Sequence, residues 1–295
     1  MDSRTIQQVR SFNRTVAEGI GALDDHFLGR PRPMNESRLL WEIGPDGAEL
    51  RALRARLGLD SGYLSRVLRS LERQRLVTVR VSPDDRRVRR AHLTRKGLAE
   101  RTELDRRADG FATCILEPLS DSQRVSLVEA MTQVERLLQA SMVHFAVEDP
   151  ASPEAQWCLE QYFAEISVRF EGGFDRTRVL PATAPEMTPP AGAFIVARLR
   201  GKPVGCGGLK FHGDEPAELK RMWLSPTVRG MGLGQRLLEE LERRAREAGV
   251  TVLRLETNRA LREAIALYRK SGWVEVPPFN DEPHAHHWFE KRLGY

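Results

Sequence analysis

The sequence predicts a multidomain chain. A mainly α N-terminal domain carries a helix-turn-helix and a β-hairpin, and a C-terminal α/β domain is built on a mixed sheet. Three observations predict this. From Thr5 to Leu138 apolar residues recur at helical spacing, broken by one pair of alternating arms at 76–81 and 86–94. From Met142 onward strand-like and helix-like patterns interleave, with a glycine-rich turn before a long amphipathic helix. The basic excess is local: residues 51–107 hold 17 Lys+Arg against 7 Asp+Glu, whereas 146–295 hold 21 of each.

The chain has 295 residues, enough for two ordinary domains. With 41% hydrophobic and 29% charged residues it has the composition of a soluble, foldable protein. No apolar run is long enough to span a bilayer, so no membrane association is expected. The opening MDSRTIQQVRSFNR has no apolar core, so no secretory signal is expected. Cys114, Cys158 and Cys206 lie far apart with no C-x-x-C, which points to a reduced, cytoplasmic setting.

The first helix is predicted over about Thr5–Phe27, with Ile6, Val9, Val16, Ile20, Leu23 and Phe27 on one stripe, and Gly29-Arg30-Pro31-Arg32-Pro33 breaks it. Helices follow at about Glu36–Ile43 and Ala48–Leu57, the latter stopped by Gly58. Asp60 or Ser61 caps the next, where Leu64, Val67, Leu68 and Leu71 repeat at i, i+3, i+4 and i+7. The arms at 76–81 and 86–94 then form a hairpin around Ser82-Pro83-Asp84-Asp85. Thr94 starts helix again; Gly97 is expected to interrupt it before it resumes to about Leu116, and another helix runs from Asp121 to about Leu138.

Character changes near Ala140, placing the domains at 1–140 and 141–295. Met142–Pro150 predicts a short strand and a loop, Glu154–Phe170 a helix, and 176–192 a proline-rich loop. Strands follow at Ala193–Leu199, Val204–Phe211 and Ala217–Leu224. A helix then runs to Ala248, a strand over Val252–Glu256, a helix over Leu261–Lys270, and strand segments to the end.

A recognition helix sets its early residues against base edges, and a wing carries cations to the neighbouring groove. The exposed side of the helix after Asp60 offers Ser61, Tyr63, Ser65, Arg66 and Arg69, and the hairpin tip offers Arg86, Arg87, Arg89 and Arg90. Clustered arginine of this kind is the footprint of phosphate-backbone binding, although a solvated basic face has the same composition. The segment AELRALRARLGLDSGYLSRVLRSLERQRLVTVRVSPDDRRVRRAHLTRKG (48–97) resembles the core of the MarR family of winged-helix regulators. The D-D-R-R wing, the L-T-x-x-G after it and the flanking helices carry the resemblance, over about residues 5–140. It implies a homodimer, made by the first and last helices of the domain, that binds double-stranded DNA at a pseudo-palindromic operator. A scaffold that only dimerises is the alternative.

In LSPTVRGMGLGQRLLEELERRAREAG (224–249), Arg229-Gly230-Met231-Gly232-Leu233-Gly234 stands between a strand and a helix. Glycines there let backbone N–H groups approach a diphosphate, which the helix dipole also favours. A Walker motif would need G-K-S/T and a Rossmann turn G-x-G-x-x-G, and neither is present. R-x-x-G-x-G after a strand, with AELKRMWLSP (217–226) before it and AIALYRKSGW (264–273) after it, resembles the GCN5-related N-acetyltransferases, the GNAT family. The resemblance runs from about Met142 to Tyr295 and implies a mixed sheet of GNAT type.

It implies acetyl-CoA as cosubstrate. The diphosphate would lie on the amides from Arg229 to Gly234, closest to Arg229, Gly230, Gly232, Gly234 and Gln235, with Met231 and Leu233 between. The pantetheine arm would follow Met222-Trp223-Leu224, where a backbone N–H can polarise the thioester carbonyl. Glu218 stands where some members place the general base, acting through water, or is a structural partner of Lys220 or Arg221. Tyr268 matches the general acid that protonates the CoA thiolate, or is a core aromatic. Many members carry Asn seven residues before this Tyr; here that residue is Leu261, and Asn258 is a stand-in for the cofactor contact.

His284, His286 and His287 invite a metal reading, but apart from nearby Asp281 and Glu282 no ligand cluster completes a site, and no metal is expected. The acceptor-side candidates are Phe170, Phe174, His286 and His287. The function expected is a bifunctional DNA-binding regulator and acetyltransferase acting on a primary amine of a small molecule, such as an amino acid. The alternatives are a regulator whose second domain only senses a ligand, and an enzyme whose first domain only dimerises.

Overall fold

The computed structural model describes residues 2–19, 27–30, 32–82, 85, 87–171, 173–175, 182–213 and 215–294. The chain divides into two compact units, Met1–Ala130 and Met131–Tyr295. The first contains α1 (Ser3–Gly19), α2 (Met34–Ile43), β1 (Ala48–Glu49), α3 (Leu50–Leu57), α4 (Ser61–Arg73), β2 (Val77–Val81), β3 (Arg89–Leu93) and α5 (Arg95–Leu116). The helix α6 (Asp121–Ser141) crosses the division.

Local chemistry sets most of these boundaries. Asp60 caps α4 by accepting a hydrogen bond from Tyr63 N at 2.8 Å, and Gly58 closes α3 in the left-handed region at φ 64°. Leu64, Val67, Leu68 and Leu71 of α4 are buried with Leu40, Leu53, Leu76, Ala91 and Leu104 in one core. Three sequence expectations change. Helix does not begin at Ala48, because Ala48 and Glu49 pair with Ala91 and Arg90 as a third strand, giving the order β1-β3-β2. Phe27 lies in a short 3-10 turn, Phe27–Gly29, and Ile20 and Leu23 of the predicted first helix fall outside the described residues.

Gly97 does not interrupt α5. Thr94 caps the helix by accepting from Gly97 N at 3.0 Å, and the chain continues helical to Leu116. Glycine is required there for space: a Cβ at 97 would stand 2.0 Å from the carbonyl oxygen of Leu76. Gly97→Ala gains about 1 kcal/mol of helix propensity, yet the clash with rigid backbone forces α5 off the hairpin. The substitution is expected to destabilise the N-terminal unit by about 1–3 kcal/mol. Faster hydrogen exchange over residues 61–81 would register it, and unchanged exchange would contradict it.

The second unit is a seven-stranded sheet in the order β4-β5-β6-β7-β8-β10-β9. Its strands are β4 (Val143–Val147), β5 (Gly192–Leu199), β6 (Lys202–His212), β7 (Glu215–Leu224), β8 (Val252–Thr257), β9 (Val274–Val276) and β10 (His287–Arg292). Its further helices are α7 (Pro153–Arg169), α8 (Leu233–Glu247) and α9 (Arg262–Lys270). Neighbouring strands are antiparallel except β7 and β8, the pair that α8 connects. Leu237, Leu238, Leu241 and Ala245 of α8 are fully buried against the sheet in a core with Leu209, Leu253, Leu255 and Phe289. No helix among the described residues is long and apolar enough to cross a membrane.

Candidate active site

The parallel pair that opens the site is short. β7 and β8 match only at Ala217↔Leu253 and Glu218↔Arg254. Beyond Glu218 the edge of β7 toward β8 is therefore unpaired, and an extended ligand arm can add there as a strand would. The same stretch holds a β-bulge. Cys206 pairs with Trp223 and Gly208 with Lys220, so Gly207 alone faces Arg221 and Met222. Arg221 takes φ 54°, a left-handed conformation that re-aims the backbone next to Met222. Met222, Trp223 and Leu224 line the resulting cleft.

The far end of the cleft is the glycine turn. Gly230 and Gly232 hold φ 74° and 76°, and Gly232 is the residue that caps α8. A Cβ at Gly230 would meet Arg136 Nη2 at 2.9 Å. The first amides of a helix have no intrahelical partner, so those of α8 supply donors where its dipole is positive. Gly230, Gly232, Leu233, Gly234 and Gln235 line the cleft; Met231 instead packs beside Val228 and Leu233. The turn fits the diphosphate of a CoA thioester.

Arg229 shapes this turn from beneath. Its Nε donates to Leu224 O at 2.9 Å and its Nη2 to Glu165 Oε2. Glu165 also accepts from Trp223 Nε1 at 2.8 Å and Arg169 Nη1 at 3.1 Å. Burial pushes Glu165 up, but these three donors outweigh it and hold the carboxyl below the usual range. Glu165 thus ties α7 to the strand and the turn.

Tyr268 lies where two cavities meet, since both the cofactor-side cleft and a second cavity beside it are lined by Tyr162, Met222 and Tyr268. Burial pushes its phenol well above its ordinary value, and the charge of Glu256 adds to that. The phenol therefore stays protonated at neutral pH.

Glu218 and Glu256 share one ammonium. Lys220 Nζ lies 2.7 Å from Glu218 Oε2 and 2.5 Å from Glu256 Oε1. Burial pulls Lys220 down, but the two carboxylates prevail and raise it above its ordinary value. Glu256 lines the second cavity, whereas Glu218 is not among its lining residues and lies 3.4 Å from His212 Nε2 on its other side. Asn280 Nδ2 donates to the other Glu256 oxygen at 3.3 Å and is itself held by Trp288 Nε1 at 2.8 Å. Glu256, which the sequence did not single out, is thus a carboxylate held at the cavity, which Glu282 also lines.

Three further expectations change place. Asn258 lines the second cavity rather than the cofactor-side cleft; its Nδ2 donates to His284 O at 2.7 Å and its Oδ1 accepts from Ala260 N at 2.9 Å. His286 lines a separate cleft with Glu171 and Arg259, and His287 Nδ1 meets Glu275 Oε1 at 2.6 Å. Neither histidine lines the second cavity, but His284 does, together with Phe170 and Phe174. No cluster of metal-ligating residues occurs among the described residues.

In the first unit Ser61, Ser65, Arg66 and Arg69 are exposed along α4. Arg66 stands 5.7 Å over the Tyr63 ring, and the Tyr63 hydroxyl accepts from Asn35 Nδ2 at 2.7 Å. Arg87 and Arg89 are exposed on the hairpin, with Arg87 N donating to Asp85 Oδ1 at 2.8 Å. Arg86 falls outside the described residues.

Residues 156–273 match the model of the acetyltransferase (GNAT) family and residues 29–88 that of the MarR family. The chain thus joins a MarR-family domain to a domain of the GNAT acetyltransferase family. It is similar to an IAA acetyltransferase of Azospirillum brasilense, 46% identical over 87 residues, 29% of this chain and 57% of that one. It is also similar to an uncharacterized N-acetyltransferase, YjgM, of Escherichia coli, 38% identical over 90 residues, 30% of this chain and 54% of that one. The matched stretch spans little more than half of these relatives. Among solved structures, an acetyltransferase of the GNAT family from Staphylococcus aureus aligns at 18% identity and TM-score 0.44, over 52% of this chain and 99% of that one.

Proposed function

We propose that the chain is an acetyl-CoA-dependent N-acetyltransferase acting on a primary amine of a small molecule, such as an amino acid. Tyr268, Glu256 and the β7 bulge converge where a cofactor-side cleft meets a second cavity, and that convergence carries the proposal. Acetyl-CoA supplies the activated acetyl group from the cleft. An alkylammonium with a pKa near 10.4 must lose a proton before it attacks. Glu256 takes that proton, directly or through water. The amine nitrogen then bonds to the acetyl carbon while the backbone N–H at Met222 stabilises the oxyanion. As the carbon–sulfur bond breaks, Tyr268 donates its proton to the thiolate; the extra proton left on the nitrogen returns to the Tyr268 oxygen and the one on Glu256 passes to solvent, leaving N-acetylamine and CoA thiol. Glu218 acts behind Glu256, as the second anion on Lys220.

The N-terminal unit is proposed to bind double-stranded DNA as a homodimer at a pseudo-palindromic operator. Exposed Arg66 and Arg69 on α4 and Arg87 and Arg89 on the hairpin support DNA binding. Exposed Ile6, Val9, Phe12 and Val16 on α1 support dimerisation through that helix.

CoA release from acetyl-CoA against a panel of amino acids and polyamines tests the enzyme; absence of turnover with every amine would refute it. Titration of labelled duplex at several salt concentrations tests DNA binding. Arg66→Ala and Arg69→Ala together are expected to lower the log–log salt slope by about 3.6, roughly 0.9 for each of the four phosphates that the dimer no longer neutralises. An unchanged slope would remove both residues from the interface.

A further inference from the structure

We propose that Arg136 of α6 supplies the cation for the cofactor: seated against Gly230, it draws the diphosphate of acetyl-CoA to the glycine turn. This rests on the acetyltransferase reading of the cleft. A diphosphate is anionic, and the turn by itself meets it with backbone amides and a helix dipole worth roughly half a unit charge. The full cations that line the cleft are mostly spent. Arg229, the arginine of the R-x-x-G-x-G motif, gives Nε to Leu224 O and Nη2 to Glu165. Arg169 is shared between Glu165 and Glu263. Lys270 lines the cleft from the end of α9, where the next residue, Ser271, donates to Gln235 Oε1 at 2.8 Å. That end of α9 meets α8 beyond the glycine turn.

Arg136 differs on each count. It is exposed, and its Nη2 donates to Arg229 O at 3.1 Å. A neutral carbonyl occupies one N–H of the guanidinium and none of its charge. No acid pairs with Arg136 among the described residues. Gly230 makes the approach possible. A Cβ there would stand 2.9 Å from Nη2, so a side chain at 230 would push the guanidinium off the turn. Glycine at 230 thus serves the left-handed φ of 74° and also clears the seat. Arg136 is beside the turn rather than in the lining of the cleft. Its charge acts across the single residue Gly230, a span inside the roughly 8 Å screening length of physiological salt. Arg136 lies outside residues 156–273, the stretch matched to the acetyltransferase family, and on a helix that begins at Asp121. Both Arg136 and the turn belong to the second unit. Cofactor affinity then depends on the last turns of α6, and by linkage a bound cofactor holds those turns in place.

The full chain is titrated with CoA by calorimetry at low and at physiological salt, as wild type, Arg136→Met and Arg136→Lys. Met keeps the aliphatic stem and loses the charge, whereas Lys restores the charge. Acetyl-pantetheine, which has the thioester arm and no diphosphate, is titrated in parallel by ligand-observed NMR. Arg136→Met is expected to weaken CoA binding about fivefold or more at low salt, and less at physiological salt, where exposed charges are screened. Arg136→Lys stays within about twofold of wild type, since a point charge suffices at this range. Acetyl-pantetheine affinity is expected to be the same in all three proteins, because neither variant removes a contact to that arm. CoA is also expected to slow hydrogen exchange over residues 131–141 in the wild type, and less so in Arg136→Met. Equal losses for CoA and acetyl-pantetheine make Arg136 a brace of the turn and overturn the proposal, as does unchanged CoA affinity in Arg136→Met. If the wild type binds no CoA, the acetyltransferase reading falls and takes the proposal with it. If CoA binds but no amine is turned over, only that reading falls, and the Arg136→Met titration still decides the role of the cation.

Discussion

Replacing Tyr268 with Phe is expected to lower kcat about 100-fold or more, in the range a positioned general acid supplies, without changing acetyl-CoA affinity. The ring sits 5.9 Å from Trp273 and 5.8 Å from Phe289, and Phe keeps both contacts. Only the hydroxyl is removed. Burial holds that hydroxyl protonated, which is the state a proton donor needs. The same desolvation disfavours a bare thiolate formed beside it, so a proton delivered as the bond breaks is worth more there than in water. Steady-state kinetics together with calorimetry for acetyl-CoA separate the two effects. A fall in affinity with kcat unchanged would make Tyr268 a packing residue of the cleft.

Glu256→Gln is expected to lower kcat/KM about 100-fold or more, and Glu218→Gln less than about tenfold, because only the first removes the base itself. The charges explain the difference. Glu218, Lys220 and Glu256 carry a net charge of one negative unit in contact. A proton arriving on Glu256 leaves a neutral Lys220–Glu218 pair, so the trio can accept it without stranding a buried charge. In Glu256→Gln the acceptor must arrive already deprotonated. Its kcat/KM is therefore expected to climb about tenfold per pH unit below the acceptor's own pKa. A flat profile, or Glu218→Gln as the more damaging change, would move the base to Glu218. Lys220 also links the trio to stability. Its folded pKa is raised, so its contribution is fully present below the unfolded value near 10.4 and is lost as pH rises through the folded one.

The glycine turn and Tyr268 were legible in the sequence because each lies within a short local pattern, a strand–turn–helix and a helix followed by Gly272-Trp273. Glu256 was not. It lies in VLRLET, an ordinary alternating strand, and its partner Lys220 is 36 residues away. What makes it a candidate base is the parallel β7–β8 pairing and the end of that pairing beyond Glu218, which no local spacing encodes. His284 was passed over for a similar reason. Its loop reaches the cavity because Asn258 holds its carbonyl, a tertiary contact that draws Asn258 to the acceptor side. The two-residue strand β1 exists only because β3 lies alongside it. The starts of α4 and α5, by contrast, were legible, since their caps Asp60 and Thr94 are written beside them; the end of α1 and the start of α3 were not.

The helix α6 runs to Ser141, about three turns past the division between the units at Ala130. In those turns Arg136 Nη2 donates to Arg229 O at 3.1 Å, and Arg236 bonds the carbonyls of Ala140 and Val143. Buried Ala140 packs with Val143, Val228 and Leu233. A fragment begun at residue 141 would lack the helical turns that brace its own cofactor loop, whereas one begun at 131 would keep them. The last turns of α6 are thus part of the second unit's own framework. Shuffling such modules, by recombination or by design, has to respect a seam that lies inside a helix.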